Sequence, residues 1–167
     1  MKFNEDTRVK IPAILHLMRL GYHYLSLKEQ VWDVDTNIFP ELFTAAVLTI
    51  NPGLEEADAG RLLDDIKLLL DNEDLGRAFF ERLSERSNIK LIDLENFNNN
   101  SLHVVTELTC QHGDEEFRPD ITLLINGLPL VFIEVKKPNN RDGILAERDR
   151  INKRFQNPKF KRFANSC

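Results

Sequence analysis

The strongest constraint in the chain is a pair of apolar runs joined by a turn. Asp120-Ile121-Thr122-Leu123-Leu124-Ile125 leads into Asn126-Gly127, and Leu130-Val131-Phe132-Ile133-Glu134-Val135-Lys136 follows. Asn-Gly favours a two-residue hairpin turn, because both residues tolerate positive φ. The runs have the length of strands and lack a helical period. Both are apolar on both faces, which predicts a hairpin in a covered, central part of a sheet.

Ionised groups sit only at the open end of this hairpin. Asp120 opens the first strand after Arg118-Pro119, and Glu134-Val135-Lys136 closes the second. A period of two puts Glu134 and Lys136 on one face. A buried carboxylate is costly unless it is paired or binds a metal, so Asp120, Glu134 and Lys136 call for one another or for a shared ligand. Two carboxylates converging at a sheet edge make a hard oxygen site suited to magnesium, completed by water and a phosphate. Such a metal polarises a phosphoryl oxygen and lowers the pKa of bound water, and a neighbouring lysine stabilises the charge that develops on phosphorus. This is an apparatus for phosphodiester hydrolysis. A structural ion cluster is the alternative.

Spacing supplies a test. A plain two-residue turn pairs 125 with 128 and hence 120 with 133, which sends Glu134 to the face away from Asp120. A shared metal needs 120 opposite 134. The sequence therefore predicts a three-residue loop or a bulge near residues 126–128.

Helical periodicity dominates upstream. Glu5 to Leu20 predicts a first helix, with Val9, Ile11, Ile14, Leu15, Leu17 and Met18 mostly on one face, a start or kink at Pro12 and a stop at Gly21. Tyr22 to Leu25 predicts a short strand. Residues 40–87 predict packed helices at Pro40–Leu48, Glu55–Leu70 and Leu75–Leu83, a helical insertion within one domain spanning 1–167. Leu91-Ile92 and Leu102–Thr109 predict strands, Gln111–Glu116 a polar loop, and Ile144–Phe155 a basic helix. The fold class is α/β, a mixed central sheet flanked by helices. The phenylalanines and Trp32 read as core rather than as stacking platforms for bases. His16, His23, His103 and His112 are scattered without ligand spacing.

Charge is unevenly distributed. Residues 136–167 carry ten Lys and Arg against three acids, within a chain of net charge −5. The body is therefore acidic and the C-terminal stretch basic, as for a surface that faces a polyanion. A solvated helix face is the alternative. No run approaches the ~20 apolar residues of a membrane span, and the N-terminus is polar and acidic. Cys110 and Cys167 form neither a disulfide framework nor a zinc site. The expectation is a soluble cytoplasmic protein with no membrane association. No G-x-x-x-x-G-K-[ST] loop is present, so no ATP hydrolysis by that route is expected of this chain.

Pro119-Asp120, then Glu134-Val135-Lys136, resembles the P-D…(D/E)-x-K nuclease motif. The longer string from Arg118 through Asn126-Gly127-Leu128-Pro129-Leu130 to Lys136 resembles the N-terminal block of the restriction (R) subunit of type I restriction-modification enzymes. Asn4 to Val9, Leu20-Gly21-Tyr22, Leu48 to Pro52, Asn98 to Asn100 and His103 to Val105 are similar to that family as well. The resemblance implies a restriction-endonuclease-like core and a fragment of a long subunit with motor domains. It implies magnesium-dependent cleavage of unmethylated double-stranded DNA after ATP-driven translocation, with ATP bound only in the full-length subunit. Partners would be DNA, the motor domains, and the methyltransferase and specificity subunits. By position, Asp120 and Glu134 would be metal ligands and Lys136 the catalytic lysine, with Glu5 a further ligand from the first helix. The family's Gln-x-x-x-Tyr after the lysine is missing, which leaves basic residues there, Lys137, Arg141, Arg148, Arg150, Lys153 and Arg154, to contact DNA phosphates. A free-standing repair or junction nuclease and a non-catalytic docking module are the alternatives. Glu107 precedes Asp120 on a strand, and a surface role is expected for it.

Overall fold

The computed structural model describes residues 6–85, 88–136 and 141–167. Among them a four-stranded mixed sheet runs in the order β1-β2-β5-β6, with β1 His23–Tyr24, β2 Leu102–Thr106, β5 Ile121–Ile125 and β6 Leu128–Ile133. β1 pairs parallel to β2, and the other two pairings are antiparallel. The helices are α1 Ile11–Arg19, α2 Pro40–Ile50, α3 Glu56–Leu70, α4 Arg77–Ser84, α5 Arg141–Phe155 and α6 Lys161–Ser166. The expected mixed α/β class with helices flanking a mixed sheet is what forms.

The hairpin turn keeps two residues. Asn126 and Gly127 both have positive φ, 52° and 76°. Asn126 is fully buried and serves as a backbone connector. Its Nδ2 donates to Leu91 O and Asn100 Oδ1, and its Oδ1 accepts from Ser101 N, each at 2.8 Å. Gly127 lies against the start of α2, where its carbonyl accepts from Phe39 N at 3.0 Å. A Cβ on Gly127 would meet Phe43 N at 2.7 Å. The turn is therefore clamped between α2 and the 91–101 segment. There Leu128 joins Ile38, Phe43, Val47, Ile66 and Phe79 in the largest apolar cluster.

The predicted register correction is present, slightly beyond the turn. Ile125 pairs with Leu128 and Leu124 with Pro129, but Leu123 pairs with Val131, Thr122 with Phe132 and Ile121 with Ile133. Leu130 is the extra residue. Pro129 has no N–H to give a regular ladder, and a bulge beside it absorbs the defect. The ladder thus heads toward 120 opposite 134.

Three expectations are corrected. β5 is buried from Ile121 to Leu124, but β6 is the last strand of the sheet and Val131 is exposed, so the hairpin is half central and half edge. Gln111–Glu116 is a second hairpin, β3 Cys110–His112 with β4 Glu115–Phe117, rather than a loop. Leu91-Ile92 forms no strand; Leu91 is buried under the helices instead. The first helix splits as Pro12 demands. Pro12 lacks the N–H that would bond Arg8, and Asp6–Lys10 widens into a π-turn before α1. α1 packs Ala13, Ile14 and Leu17 on the sheet, while Ile11, Leu15 and Met18 stay exposed. No helix among the described residues is long and apolar enough to cross a membrane.

Candidate active site

The site lies at the open end of the β5–β6 hairpin. Asp120 precedes β5, and its carbonyl accepts from Glu107 N at 3.3 Å. Its Oδ2 accepts from Val135 N at 3.0 Å, which fixes the end of β6 against the start of β5. Glu134 and Lys136 flank Val135. Val135 is buried with Ile121 and Leu123, so its neighbours turn to the opposite face, the face of Asp120. The bulge is what makes these faces coincide.

Electrostatics mark Glu134. Burial and the facing Asp120 carboxylate push its pKa up from 4.5 to about 7. Its Oε1 is buried without a hydrogen-bond partner. Lys136 Nζ stands 3.9 Å from Glu134 Oε2 and 3.2 Å from Glu147 Oε2. Two facing carboxylates with an orphaned buried oxygen form a donor set that a small divalent cation would satisfy, with waters filling its other positions. Among the described residues no group of three or more His, Cys, Asp and Glu side chains is gathered for a metal. Glu5 and Lys137 lie outside the described residues, as does the side chain of Arg141.

Two residues join the site that periodicity does not single out. Lys10, the buried lysine of the first turn, bonds Glu107 Oε1 at 2.8 Å and lies 4.0 Å from Asp120 Oδ1. Glu107 takes an αL φ of 56° where β2 ends, and the Lys10 hydrogen bond holds its carboxyl below the usual range. Its side chain is largely exposed, and it reaches the site through Lys10. Glu147, inside the basic helix α5, is the other. Burial raises its pKa, but Arg150 and Lys136 outweigh that and leave it lowered. The only signals were a lysine between Val9 and Ile11 and an acid in a basic helix.

The expected DNA contacts separate by partner. Arg150 Nε binds Glu147 Oε1 at 2.7 Å, so this guanidinium is committed to the protein. Arg154 sits over the Phe117 ring, 4.6 Å from its centroid. Arg148 and Lys153 are exposed. Arg148 and Lys136 border a groove of about 520 Å³ with Phe132, Ile133, Ile144 and Ile151. The histidines gather no metal cage among the described residues: His23 faces His103 at 6.3 Å, and His112 binds Asp35.

The fold and site together define a mixed α/β chain whose two carboxylates and lysine converge at the open end of a bulged hairpin. Residues 2–166 match the type I restriction enzyme R protein N terminus family. The chain belongs to that family. It is 30% identical over 164 residues to a putative type I restriction enzyme MjaIXP endonuclease subunit of Methanocaldococcus jannaschii, covering 83% of this chain and 16% of that protein. A shorter stretch of 50 residues is 46% identical to the type I restriction enzyme EcoprrI endonuclease subunit of Escherichia coli, covering 30% of this chain and 16% of that protein. The matched stretches thus cover about a sixth of the length of each of these relatives.

Proposed function

We propose that this chain is the nuclease part of a type I restriction R subunit, with a restriction-endonuclease-like core that hydrolyses phosphodiester bonds of double-stranded DNA. The observation that carries the reading is the bulge at Leu130, which turns Glu134 to the face of Asp120 while Val135 N caps the Asp120 carboxylate. Nothing in sheet stability asks for two facing carboxylates and a buried, unpartnered oxygen; a metal-dependent hydrolase does. Asp120 and Glu134 would hold magnesium, which supplies Lewis acidity and an acidified water when bound.

The chain's own residues do the rest. Val135 N orients Asp120. Glu134, drawn toward neutrality by its surroundings, would release its proton to solvent as it becomes a ligand. Lys136 supplies fixed positive charge where negative charge builds up as water adds to phosphorus and the bond to the leaving sugar oxygen breaks. Exposed Arg148 and Lys153 offer phosphate contacts beside it. In the full-length subunit, motor domains would bind ATP and translocate unmethylated DNA, alongside methyltransferase and specificity subunits.

The test is Lys136→Ala in the full-length subunit assembled with its partners. Cleavage should be lost, with DNA binding and the folded state retained. Retained cleavage refutes the assignment. Calcium or magnesium titration should raise the melting temperature of the unsubstituted chain and not that of Asp120→Ala; the same response in both, or none in either, would mean that Asp120 holds no metal and would favour a docking role.

A further inference from the structure

We infer that Glu147 is the positioning residue that holds the Lys136 ammonium at the site. The inference rests on the nuclease reading for its consequence and on geometry for its substance. Lys136 lies past the last ladder pair of an edge strand, so strand pairing does not restrain its side chain. Four rotatable bonds separate its ammonium from the backbone. Among the described residues, the carboxylate nearest to that ammonium is Glu147 at 3.2 Å, and Glu134 is farther at 3.9 Å. Glu147 is 8% exposed, whereas its neighbours Arg148, Asp149 and Arg150 on α5 are exposed. Its other oxygen is fixed by Arg150 Nε at 2.7 Å. Arg150 therefore anchors Glu147, and Glu147 anchors Lys136.

This chain of contacts joins two elements that the sheet does not join. The end of β6 carries the lysine, and α5 carries its acceptor. A buried carboxylate between two cations is held in one orientation by both, so it presents a fixed acceptor rather than a mobile one. A side chain restrained this way keeps its charge within reach of the reacting phosphate. A displacement of about 1 Å at a reacting group can cost ~100-fold in rate. Glu147 touches neither substrate nor metal in this scheme. It acts through Lys136.

The experiment compares Glu147→Ala and Glu147→Gln. In the chain labelled with ¹³C-lysine, the Lys136 Cε order parameter should fall to that of exposed lysines in Glu147→Ala. It should stay intermediate in Glu147→Gln, whose carbonyl oxygen still accepts. In the assembled enzyme, kcat should fall about 10–100-fold in Glu147→Ala and less in Glu147→Gln, with KM for DNA and calcium affinity unchanged. Three results overturn the inference: Lys136 equally mobile in the unsubstituted chain, calcium affinity falling with kcat (Glu147 is then a metal ligand), or kcat rising (Lys136 is then parked away from the chemistry). A rigid Lys136 in an unsubstituted enzyme that cuts no DNA refutes the nuclease reading and leaves the clamp standing. Glu147→Gln keeps the test decisive if Glu147→Ala fails to fold.

Discussion

Glu134 should destabilise the metal-free fold, and removing its charge should stabilise it. Its carboxyl is buried beside Asp120, and its pKa rises from 4.5 to about 7. A raised acid pKa means that the neutral form is favoured on folding. Stability linked to this group is complete below about pH 4.5 and is lost as pH rises through about 7. At ~1.4 kcal/mol per pH unit the loss reaches about 3 kcal/mol at pH 8, before relaxation and water reduce it. Glu134→Gln removes the titration, and its amide can donate to Asp120. Lys136 keeps Glu147 as a partner. We expect Glu134→Gln to gain roughly 1–3 kcal/mol at pH 8 in chelator, a melting shift of roughly 3–10 °C for a chain of this size. The gain should shrink toward zero near pH 4.5. Differential scanning fluorimetry of both proteins from pH 4.5 to 8.5 in EDTA reads this directly. A gain independent of pH, or a lower melting temperature at pH 8, would show that Asp120 and Glu134 do not repel each other and that the paired-carboxylate site is wrong.

Other expectations follow from the turn and from α5. Gly127→Ala puts a Cβ 2.7 Å from Phe43 N at a φ of 76°, and chemical denaturation should show a loss of about 2–4 kcal/mol. Asn126→Ala strips partners from Leu91 O and Ser101 N in the interior, and the same assay should show about 2–4 kcal/mol lost. Arg148→Ala with Lys153→Ala should weaken DNA binding and make the slope of log K against log salt shallower by ~2. Arg150→Ala should leave that slope nearly unchanged, because Glu147 already holds its guanidinium.

Much of the fold was legible because the informative residues are close in sequence. The hairpin declares itself through Asn126-Gly127 and two apolar runs, and α2 and α3 through periodic Leu, Ile and Ala. The need for a bulge was legible too, since Asp120 and Glu134 can share a ligand only in one register. Its place was not, because the turn stayed tight and Pro129 moved the defect beyond it. The β3–β4 ribbon was hidden because it buries only Cys110 and Phe117, one residue per strand, although Gly113-Asp114 is a hairpin dipeptide. Lys10 and Glu147 were illegible for another reason. Each is a polar residue made interior by a partner on another element, Glu107 for Lys10 and Lys136 for Glu147. Periodicity reports which face is apolar; it says nothing of which charge finds a distant counter-charge.

The bulge also sets how the two carboxylates tolerate a change in length. Thirteen residues separate Asp120 from Glu134, an odd number that a tight turn and a regular ladder would send to opposite faces. Setting Leu130 aside converts thirteen into an effective twelve. Deleting Leu130 should therefore leave Glu134 opposite Asp120 in an unbroken ladder, at the cost of that leucine's packing. Pairing Leu130 with Leu123 instead would turn the glutamate away without losing an atom. Relatives with one residue fewer in this arm can keep the same juxtaposition, and the residue they lack should align with the bulge. A spacing counted along the chain is thus a poor measure of this site; the count that matters is the number of ladder steps.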